Sequence, residues 1–273
     1  MQVTYRDRVR MERAHVRAWP ALRMAEIDGW HRRGSGGGSQ RANSVSTIDF
    51  AGSDVQTAID TVEAKYRALG MPPQFQTFED TAPAELPFVL HARGYQTGRR
   101  RPRCSGGTMF RRHDVQAARC SSGTMFKRIV PTAAPADVEC RDHAWQEWCD
   151  VYLAAIIENR RAVNRQILSA APNPHAFFAC GRDGAIISTG LCVVSFGCAV
   201  IECVATRPDA RRQGGAMAVL RAILSRAAQQ DAGLIGLQVV TSNLSAVRLC
   251  EGLGFVAGAT KRFWVLKGDD GQQ

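Results

Sequence analysis

An arginine- and glycine-rich turn in the second half of the chain has residue types suited to binding an anion. In VATRPDARRQGGAMAVL, residues 204–220, an apolar strand pattern ends at a polar loop and an apolar helix pattern follows directly. The first N–H groups of a helix have no intrahelical acceptor, and the helix dipole adds partial positive charge there. Gly214 and Gly215 allow the backbone to approach a ligand closely, and Arg211 and Arg212 add full positive charges. The segment predicts a pyrophosphate-binding turn; the alternative is an ordinary surface loop with a flexible helix N-cap.

Two motifs at the proper separation resemble those of the GNAT superfamily of N-acetyltransferases. The run RRQGGA at 211–216 matches the family pattern R/Q-x-x-G-x-G/A, and Thr206-Arg207-Pro208 is similar to the approach that precedes it. Downstream, NLSAVRLCEGLGF at 243–255 resembles the family's N-x-x-A-x-x-L-Y-x-x-x-G-F helix. Together the motifs and their surrounding elements cover most of residues 130–266.

The resemblance implies that the chain binds acetyl-CoA as a co-substrate. Backbone amides at 212–217 would hold the CoA pyrophosphate, and the preceding strand, splayed from its neighbour, would contact the acetyl and pantetheine groups. Asn243 would contact the pantetheine arm, and it could also be a plain helix N-cap. The cofactor-binding residues implied in this way are Val204, Ala205, Thr206, Arg211, Arg212, Gln213, Gly214, Gly215, Ala216, Met217 and Asn243.

The chemistry implied is direct transfer of an acetyl group from a thioester to a primary amine. The amine must be neutral to attack, so a base or a water-linked proton path has to take its proton. Glu202 is the only carboxylate in the apolar strand at 199–206, two residues before the acetyl-contact position. Burial there would raise its pKa toward a useful range. We therefore predict Glu202 as the catalytic base; the alternative is a polar strand residue that points outward.

The chain departs from the family pattern at Cys250, which aligns with the tyrosine that can protonate the leaving CoA thiolate. A thiol has a reference pKa of ~8.5 against ~10 for tyrosine, so it could serve as the acid. It is a weaker hydrogen-bond donor than a phenol. The alternatives are a small apolar residue with water as the acid, which we favour, or a covalent acyl-Cys250 intermediate.

The order of predicted elements repeats between the two halves of the chain. Strand, helix, strand, helix and a Gly-aromatic pair occur in 44–95 and again in 200–255. The resemblance implies an α/β (α+β) fold with a mixed, mostly antiparallel sheet flanked by helices, and the repetition indicates two such domains in tandem. We predict a degenerate GNAT-like domain at 1–115, a linker with a short duplicated segment at 116–132 and a catalytic acetyltransferase domain at 133–273.

The duplicated segment consists of RCSGGTMFRR at 103–112 and RCSSGTMFKR at 119–128. Two copies at this spacing are too few and too short for a solenoid, so one copy is predicted to be a strand and the other an inserted linker. Apolar periodicity predicts helices at 54–69 and 216–230 and a buried strand at 234–240. A β-hairpin at 177–196 is predicted to turn at Asp183-Gly184.

Composition excludes several protein classes. The 273 residues are 45% hydrophobic and 22% charged, which is normal for a globular protein and rules out wholesale disorder. No apolar run approaches the ~20 residues of a membrane span, and the charged start MQVTYRDRVRMERAH has no apolar signal core behind it. We expect a cytoplasmic protein with no membrane partner.

Positive charge and cysteine are both abundant, and each has a plain explanation. The net charge is +10, and residues 1–130 hold 21 Lys/Arg against 12 Asp/Glu. The basic residues are scattered with little aromatic interleaving, which favours a solvated surface over nucleic-acid binding. The nine cysteines include no C-x-x-C pair, and Cys104, His113 and Cys120 offer only a partial zinc set without a fourth ligand. We expect reduced cysteines and no metal.

The acceptor expected from the resemblance is an amine of a small molecule or a peptide, because GNAT relatives use both and fold does not decide between them. Four aromatic residues are candidate walls of the acceptor cleft or ordinary core residues: Trp145, Trp148, Tyr152 and Trp264. A non-catalytic CoA-binding or regulatory module is the alternative function, favoured by Cys250 in place of the tyrosine.

Overall fold

The computed structural model describes residues 3–97, 122–130, 133–230 and 232–266. The first copy of the duplicated segment, 103–112, and the partial zinc set of Cys104, His113 and Cys120 lie outside the described residues. None of the helices within the described ranges combines the length and the apolar character needed to cross a membrane.

Within the described residues 3–97, the first half of the chain contributes three α-helices and five strands. They are α1 (Tyr5–Ala18), β1 (Arg23–Ile27), β2 (Trp30–Gly34), β3 (Val45–Ser46), α2 (Val55–Ala68), β4 (Gln74–Thr77), α3 (Leu86–Ala92) and β5 (Tyr95–Thr97). Helix α1 begins with a capping box between Thr4 and Asp7, and Asp54 caps α2 by accepting from two backbone amides. The predicted helix at 54–69 is confirmed.

Over the ranges 122–130, 133–230 and 232–266, the second half contributes four α-helices and seven strands. They are β6 (Ser122–Arg128), β7 (Val138–Arg141), α4 (Gln146–Ala154), α5 (Glu158–Ser169), β8 (His175–Arg182), β9 (Ala185–Ser195), β10 (Cys198–Thr206), α6 (Gly215–Ala228), β11 (Leu234–Val240), α7 (Leu244–Gly252) and β12 (Val256–Leu266). The hairpin between β8 and β9 turns at Asp183 and Gly184, both at positive φ, as the sequence predicts. The predicted helix at 216–230 and strand at 234–240 are also confirmed.

The twelve strands of the described residues join one sheet in the order β1-β2-β3-β4-β12-β6-β11-β10-β9-β8-β7, with β5 also paired to β12. Only the β3–β4 and β10–β11 pairs among the described strands are parallel, so the sheet is mixed and mostly antiparallel as predicted. Strand β12 connects the two halves, because its residues 256–261 pair with β6 and its residues 262–265 pair with β4.

Helices cover both faces of the second-half sheet. On one face α1, α4 and α5 bury Met11, Trp148 and Ile167 against β9 and β10. On the other face α6 and α7 pack in a separate core that includes Leu220 and Cys250. Helix α1 lies in the predicted N-terminal domain yet packs on the strands of the second half, and the domain boundaries 1–115, 116–132 and 133–273 stay a prediction.

The second copy of the duplicated segment supplies a strand. Residues Ser122–Arg128 form β6, which pairs with β11 on one side and β12 on the other. Its register places Phe126 in the core beside α1 and Met125 in the core beside α6. The prediction that one of the two copies is a strand is thereby confirmed.

Candidate active site

Strands β10 and β11 separate part-way along their length. Their parallel pairing runs from Cys198–Leu234 to Ile201–Leu237, and beyond this point β11 pairs only with β6. On its other edge β10 has an irregularity between Glu202 and Ala205, with Cys203 at a φ of +56°. We call the opening that begins after Ile201 and Leu237 the strand split; it is the splay that the resemblance implies.

The turn after β10 leads directly into the N-terminus of α6. Gly214 is the N-cap at a φ of +85°, with no side-chain cap, and a Cβ built there meets nothing within 4 Å. Gly215 packs so closely that a Cβ would lie 2.6 Å from the Ser188 hydroxyl oxygen of β9. The first amides of α6 have no intrahelical acceptor, and the space beside Gly214 is open. The predicted anion-binding turn therefore has free donors and no side chain filling the space at its N-cap.

Arginines surround this turn. Arg211 and Arg212 are exposed, and Arg212 takes a φ of +60°. Arg182, at the end of β8, donates from Nη1 to Gln213 Oε1 at 2.9 Å and from Nη2 to the Gln213 carbonyl at 3.0 Å. Gln213 Nε2 in turn donates to the Asp209 carbonyl at 3.2 Å. Sequence reasoning missed Arg182, because only the folded hairpin brings it to the turn.

The three residues predicted to contact the acetyl and pantetheine groups line the far end of β10. Val204 is 39% exposed, while Ala205 is 8% exposed. Ala205 and Thr206 pair with Thr189 and Ser188 of β9, and the Thr206 and Ser188 hydroxyl oxygens lie 2.7 Å apart. Val204 falls in the irregular part of the pairing, so its backbone has no register partner in β9.

Glu202 is buried at the strand split rather than pointing outward, with 7% of its surface exposed. Arg41 donates from Nη1 to Oε1 and from Nη2 to Oε2, both at 2.7 Å. His15 Nδ1 lies 3.8 Å from Oε1. Burial by itself would raise the pKa of Glu202, but the Arg41 guanidinium, with His15, lowers it to about 2. The expectation of a raised pKa is wrong, because it left out a partner 161 residues away in sequence.

Cys250 and Asn243 have clear structural roles. Cys250 is 2% exposed in the core beneath α6 and α7, and burial raises the pKa of its thiol to about 11. Asn243 caps α7, with its side-chain oxygen accepting from the Ala246 amide at 3.2 Å. Contact of Asn243 with pantetheine and acid chemistry at Cys250 stay predictions.

The four candidate wall residues are core residues. Trp145, Trp148 and Tyr152 are between 0 and 9% exposed in the core beside α1, and Trp148 donates to the Phe178 carbonyl at 2.9 Å. Trp264 belongs to the core of the first half and donates to Thr77 Oγ1 at 2.8 Å. Tyr152 also accepts from Asn164 at 3.2 Å, and burial raises its pKa well above the ordinary value.

The sheet is mostly antiparallel, the parallel strands β10 and β11 separate part-way, and the N-terminus of α6 has no side-chain cap. This arrangement defines the class of acyl-CoA-dependent acetyltransferases that the motifs resemble. The family model described as "Acetyltransferase (GNAT) family" matches residues 138–255. An aminoglycoside N(6')-acetyltransferase type 1 from Serratia marcescens is 34% identical over 107 residues, which span 36% of this chain and 73% of that protein. The chain belongs to the GNAT family of acetyltransferases.

Solved structures extend the likeness to the whole fold. A GCN5-related N-acetyltransferase from Kribbella flavida superposes with a TM-score of 0.66 over 95% of both chains, at 16% identity. A tandem GNAT protein from the clavulanic acid biosynthesis pathway superposes with a TM-score of 0.55 over 96% of both chains, at 11% identity. At these identities the likeness concerns the fold, and it covers both halves of this chain.

Proposed function

We propose that the protein transfers an acetyl group from acetyl-CoA to a primary amine by direct attack of the amine on the thioester. One observation carries the proposal: the strand split and the uncapped N-terminus of α6 adjoin the same end of β10, separated only by the turn at 207–214. An extended thioester with a pyrophosphate at one end fits this arrangement, because its carbonyl needs a gap in the sheet and its phosphates need free amides.

The pyrophosphate is assigned to the amides of 212–217, with Arg211 and Arg212 supplying charge from the turn itself. Arg182 adds a third cation and fixes Gln213 through two hydrogen bonds. The acetyl and pantetheine groups are assigned to the backbone of Val204, Ala205 and Thr206, where β10 has left β11. Asn243 is assigned to the pantetheine arm while it also caps α7.

We assign Glu202 to catalysis as a fixed negative charge rather than as the first proton acceptor. Its carboxylate is ionised throughout the neutral range, since its pKa is lowered to about 2. A carboxylate so acidic is a weak base. Held by Arg41, it can instead stabilise positive charge that forms on a neighbouring group during the reaction. Glu202→Gln is therefore expected to lower turnover while acetyl-CoA affinity stays near wild type.

Cys250 is assigned to the core rather than to proton transfer. It packs among apolar residues of α6 and α7, and its thiol stays protonated because its pKa is raised to about 11. Water is then the proton source for the leaving CoA thiolate. Intact-mass measurement after incubation with acetyl-CoA tests the covalent alternative, since an acyl-Cys250 intermediate would add one acetyl group.

A small-molecule amine is the acceptor class that the relatives favour, since one of them is named as an aminoglycoside acetyltransferase. The experiment that tests the proposal has two parts. Calorimetry with acetyl-CoA and with CoA measures binding, and a free-thiol assay over a panel of small amines, including aminoglycosides and short peptides, measures transfer. Acetyl-CoA binding together with amine-dependent thiol release supports the proposal. Tight binding with no thiol release above background for any amine supports the alternative of a non-catalytic CoA-binding module.

A further inference from the structure

Helix α1 carries a buried histidine to the strand split. His15 is 2% exposed, and neither ring nitrogen has a hydrogen-bond partner among the described residues. Buried polar groups in native proteins are nearly always paired, so two unpaired ring nitrogens need a structural or functional reason. The Glu202 Oε1 atom lies 3.8 Å from Nδ1, which is beyond hydrogen-bond length.

A second side chain with buried, unpartnered polar atoms lies on the same face of the sheet. Both the amide nitrogen and the amide oxygen of Gln238 are buried and unpaired among the described residues. Ile201 and Leu237 are register partners and both belong to the core beside α6, so Glu202 and Gln238, one residue further, point to the opposite face. That face is covered by α1, since Met11 fills the space beside Gly236.

Most of the other polar groups on this face are paired, although Arg33 Nε and Asn164 Oδ1 are also buried without a partner among the described residues. Glu12 accepts from Thr124 Oγ1 at 2.9 Å and forms an ion pair with Lys261. Arg41 is engaged by Glu202, and Arg33 donates to the Trp19 carbonyl. At the strand split itself the unpaired atoms are the two ring nitrogens of His15 and the side-chain amide of Gln238, one residue beyond the last β10–β11 pair. A polar ligand group that reaches this point through the strand split would satisfy them.

We infer that His15 is the general base of the acetyl transfer, taking the proton of the acceptor amine at the strand split while Glu202 stabilises the charged imidazole. The inference rests on the proposed function and adds to it a residue from the first half of the chain. Nδ1 faces Glu202, which leaves Nε2 to receive the proton. Gln238 is the neighbouring group that can hold a polar atom of the acceptor in place.

The proton and bond changes balance without a further reactant. The ammonium form of the amine gives one proton to His15 Nε2, which later returns it to solvent. The neutral nitrogen attacks the thioester carbonyl, so a C–N bond forms and the C–S bond breaks. The second nitrogen-bound proton leaves as the amide forms, and the CoA thiolate takes a proton from water. The products are the acetylated amine, CoA thiol and one proton.

The surroundings suit a base that is neutral before the reaction. Burial is the main cause that lowers the pKa of His15, opposed by the Glu202 carboxylate and assisted by Lys261, so the ring is neutral near pH 7. The charged groups facing it are Glu202 with Arg41, Glu12 with Lys261, and Arg33. Each carboxylate already has a cationic partner, and this leaves the imidazole as the unpaired proton acceptor.

The experiment compares His15→Gln with His143→Gln, a matched change at an exposed histidine on the surface. With an amine that the wild type acetylates, His15→Gln is expected to lower kcat/KM by about 10²–10⁴-fold near pH 7. Acetyl-CoA affinity should stay within a few-fold of wild type. The deficit should shrink as the pH approaches the pKa of the amine, because free amine no longer needs a base. His143→Gln should match wild type at every pH.

Two results would overturn the role of His15. One is wild-type kcat/KM in His15→Gln, and the other is a loss that stays constant with pH, as a purely structural defect would give.

If the variant does not fold, histidine-labelled wild-type protein is used instead, and the His15 ring signals are followed by NMR while amine and CoA are added together. A shift of those signals supports the inference, and no shift overturns it. A wild type that binds acetyl-CoA but acetylates no amine contradicts the proposed function itself, which is a distinct outcome.

Discussion

Arg41 and Glu202 form a two-pronged ion pair across 161 residues of sequence, with both N–O distances at 2.7 Å. Arg41 belongs to the short 3-10 turn Gln40–Asn43 of the first half, and Glu202 belongs to β10 at the strand split. The pair thus ties the first half of the chain to the centre of the candidate active site. It also keeps Glu202 ionised, and through Glu202 it sets the charge that faces His15.

Removing Arg41 should destabilise the protein strongly, because Glu202 would be left buried without a partner. We expect Arg41→Met to lower the free energy of unfolding by about 3–5 kcal/mol, and Arg41→Met with Glu202→Gln to recover most of that loss. Urea unfolding of both variants measures the effect. Arg13→Met is the matched control, since it removes the largely exposed Arg13–Asp49 pair and should cost at most ~1 kcal/mol. Equal losses for the two single variants would show that the buried pair contributes no more than a surface one.

Lowering the pH should reduce the free energy of unfolding in two steps, the first caused by His15 and the second by Glu202. Both groups have a lowered pKa in the folded state, so the unfolded chain binds more protons as the pH falls. Stability should begin to fall below ~6.5 through His15 and again below ~4.3 through Glu202, whose folded pKa is about 2. Urea midpoints at several pH values measure this. His15→Gln should flatten the curve between pH 7 and pH 5, while His143→Gln should leave its slope unchanged; equal slopes in wild type and His15→Gln would contradict the assignment.

The turn at the start of α6 could be predicted from sequence because its parts are local. A strand, two glycines and a helix within 204–220 define it, and Gly214 and Gly215 have the conformation and close packing expected there. The same locality explains why the cap at Asn243 and the hairpin turn at Asp183 agree with the sequence. Each depends on a few neighbouring residues and not on distant packing.

The charges at the strand split could not be predicted in the same way. Nothing near Glu202 in sequence indicates that Arg41 and His15 reach it. His15 meets β10 only when α1 packs on the sheet, and Arg41 only when the turn Gln40–Asn43 does. Burial alone predicts a raised pKa, and the partner reverses the sign. A signal for His15 was nonetheless present, because it follows Met11 by one helical turn on the buried face of α1.

Close packing of α6 against β9 should make Gly215 intolerant of a side chain. A Cβ there would lie 2.6 Å from Ser188 Oγ and 3.1 Å from Ile187 Cδ1, so Gly215→Ala must push the N-terminus of α6 away from the sheet. We expect a stability loss of about 1–3 kcal/mol and a weaker Kd for acetyl-CoA, since the displaced amides no longer converge. Gly252→Ala in the last turn of α7 is the control, because a Cβ there meets nothing within 4 Å. Calorimetry and urea unfolding give the two measurements, and unchanged acetyl-CoA affinity in folded Gly215→Ala would remove this turn from the binding site.

Arg182 should matter for acetyl-CoA binding although it lies outside the recognised motif. It holds Gln213 by two hydrogen bonds at 2.9 and 3.0 Å and adds positive charge beside Arg211 and Arg212. Arg182→Ala is expected to cost about 1 kcal/mol of binding free energy, which is about a fivefold rise in the Kd for acetyl-CoA. The cause is a less ordered turn and a weaker electrostatic attraction for the anionic ligand. The rise should diminish at high salt, where the lost charge is screened in wild type as well. Calorimetry at two ionic strengths measures both effects, with Arg23→Ala on β1 as a control for the loss of an exposed positive charge far along the sheet. If Arg182→Ala and Arg23→Ala bind acetyl-CoA equally well, the turn does not depend on the hairpin.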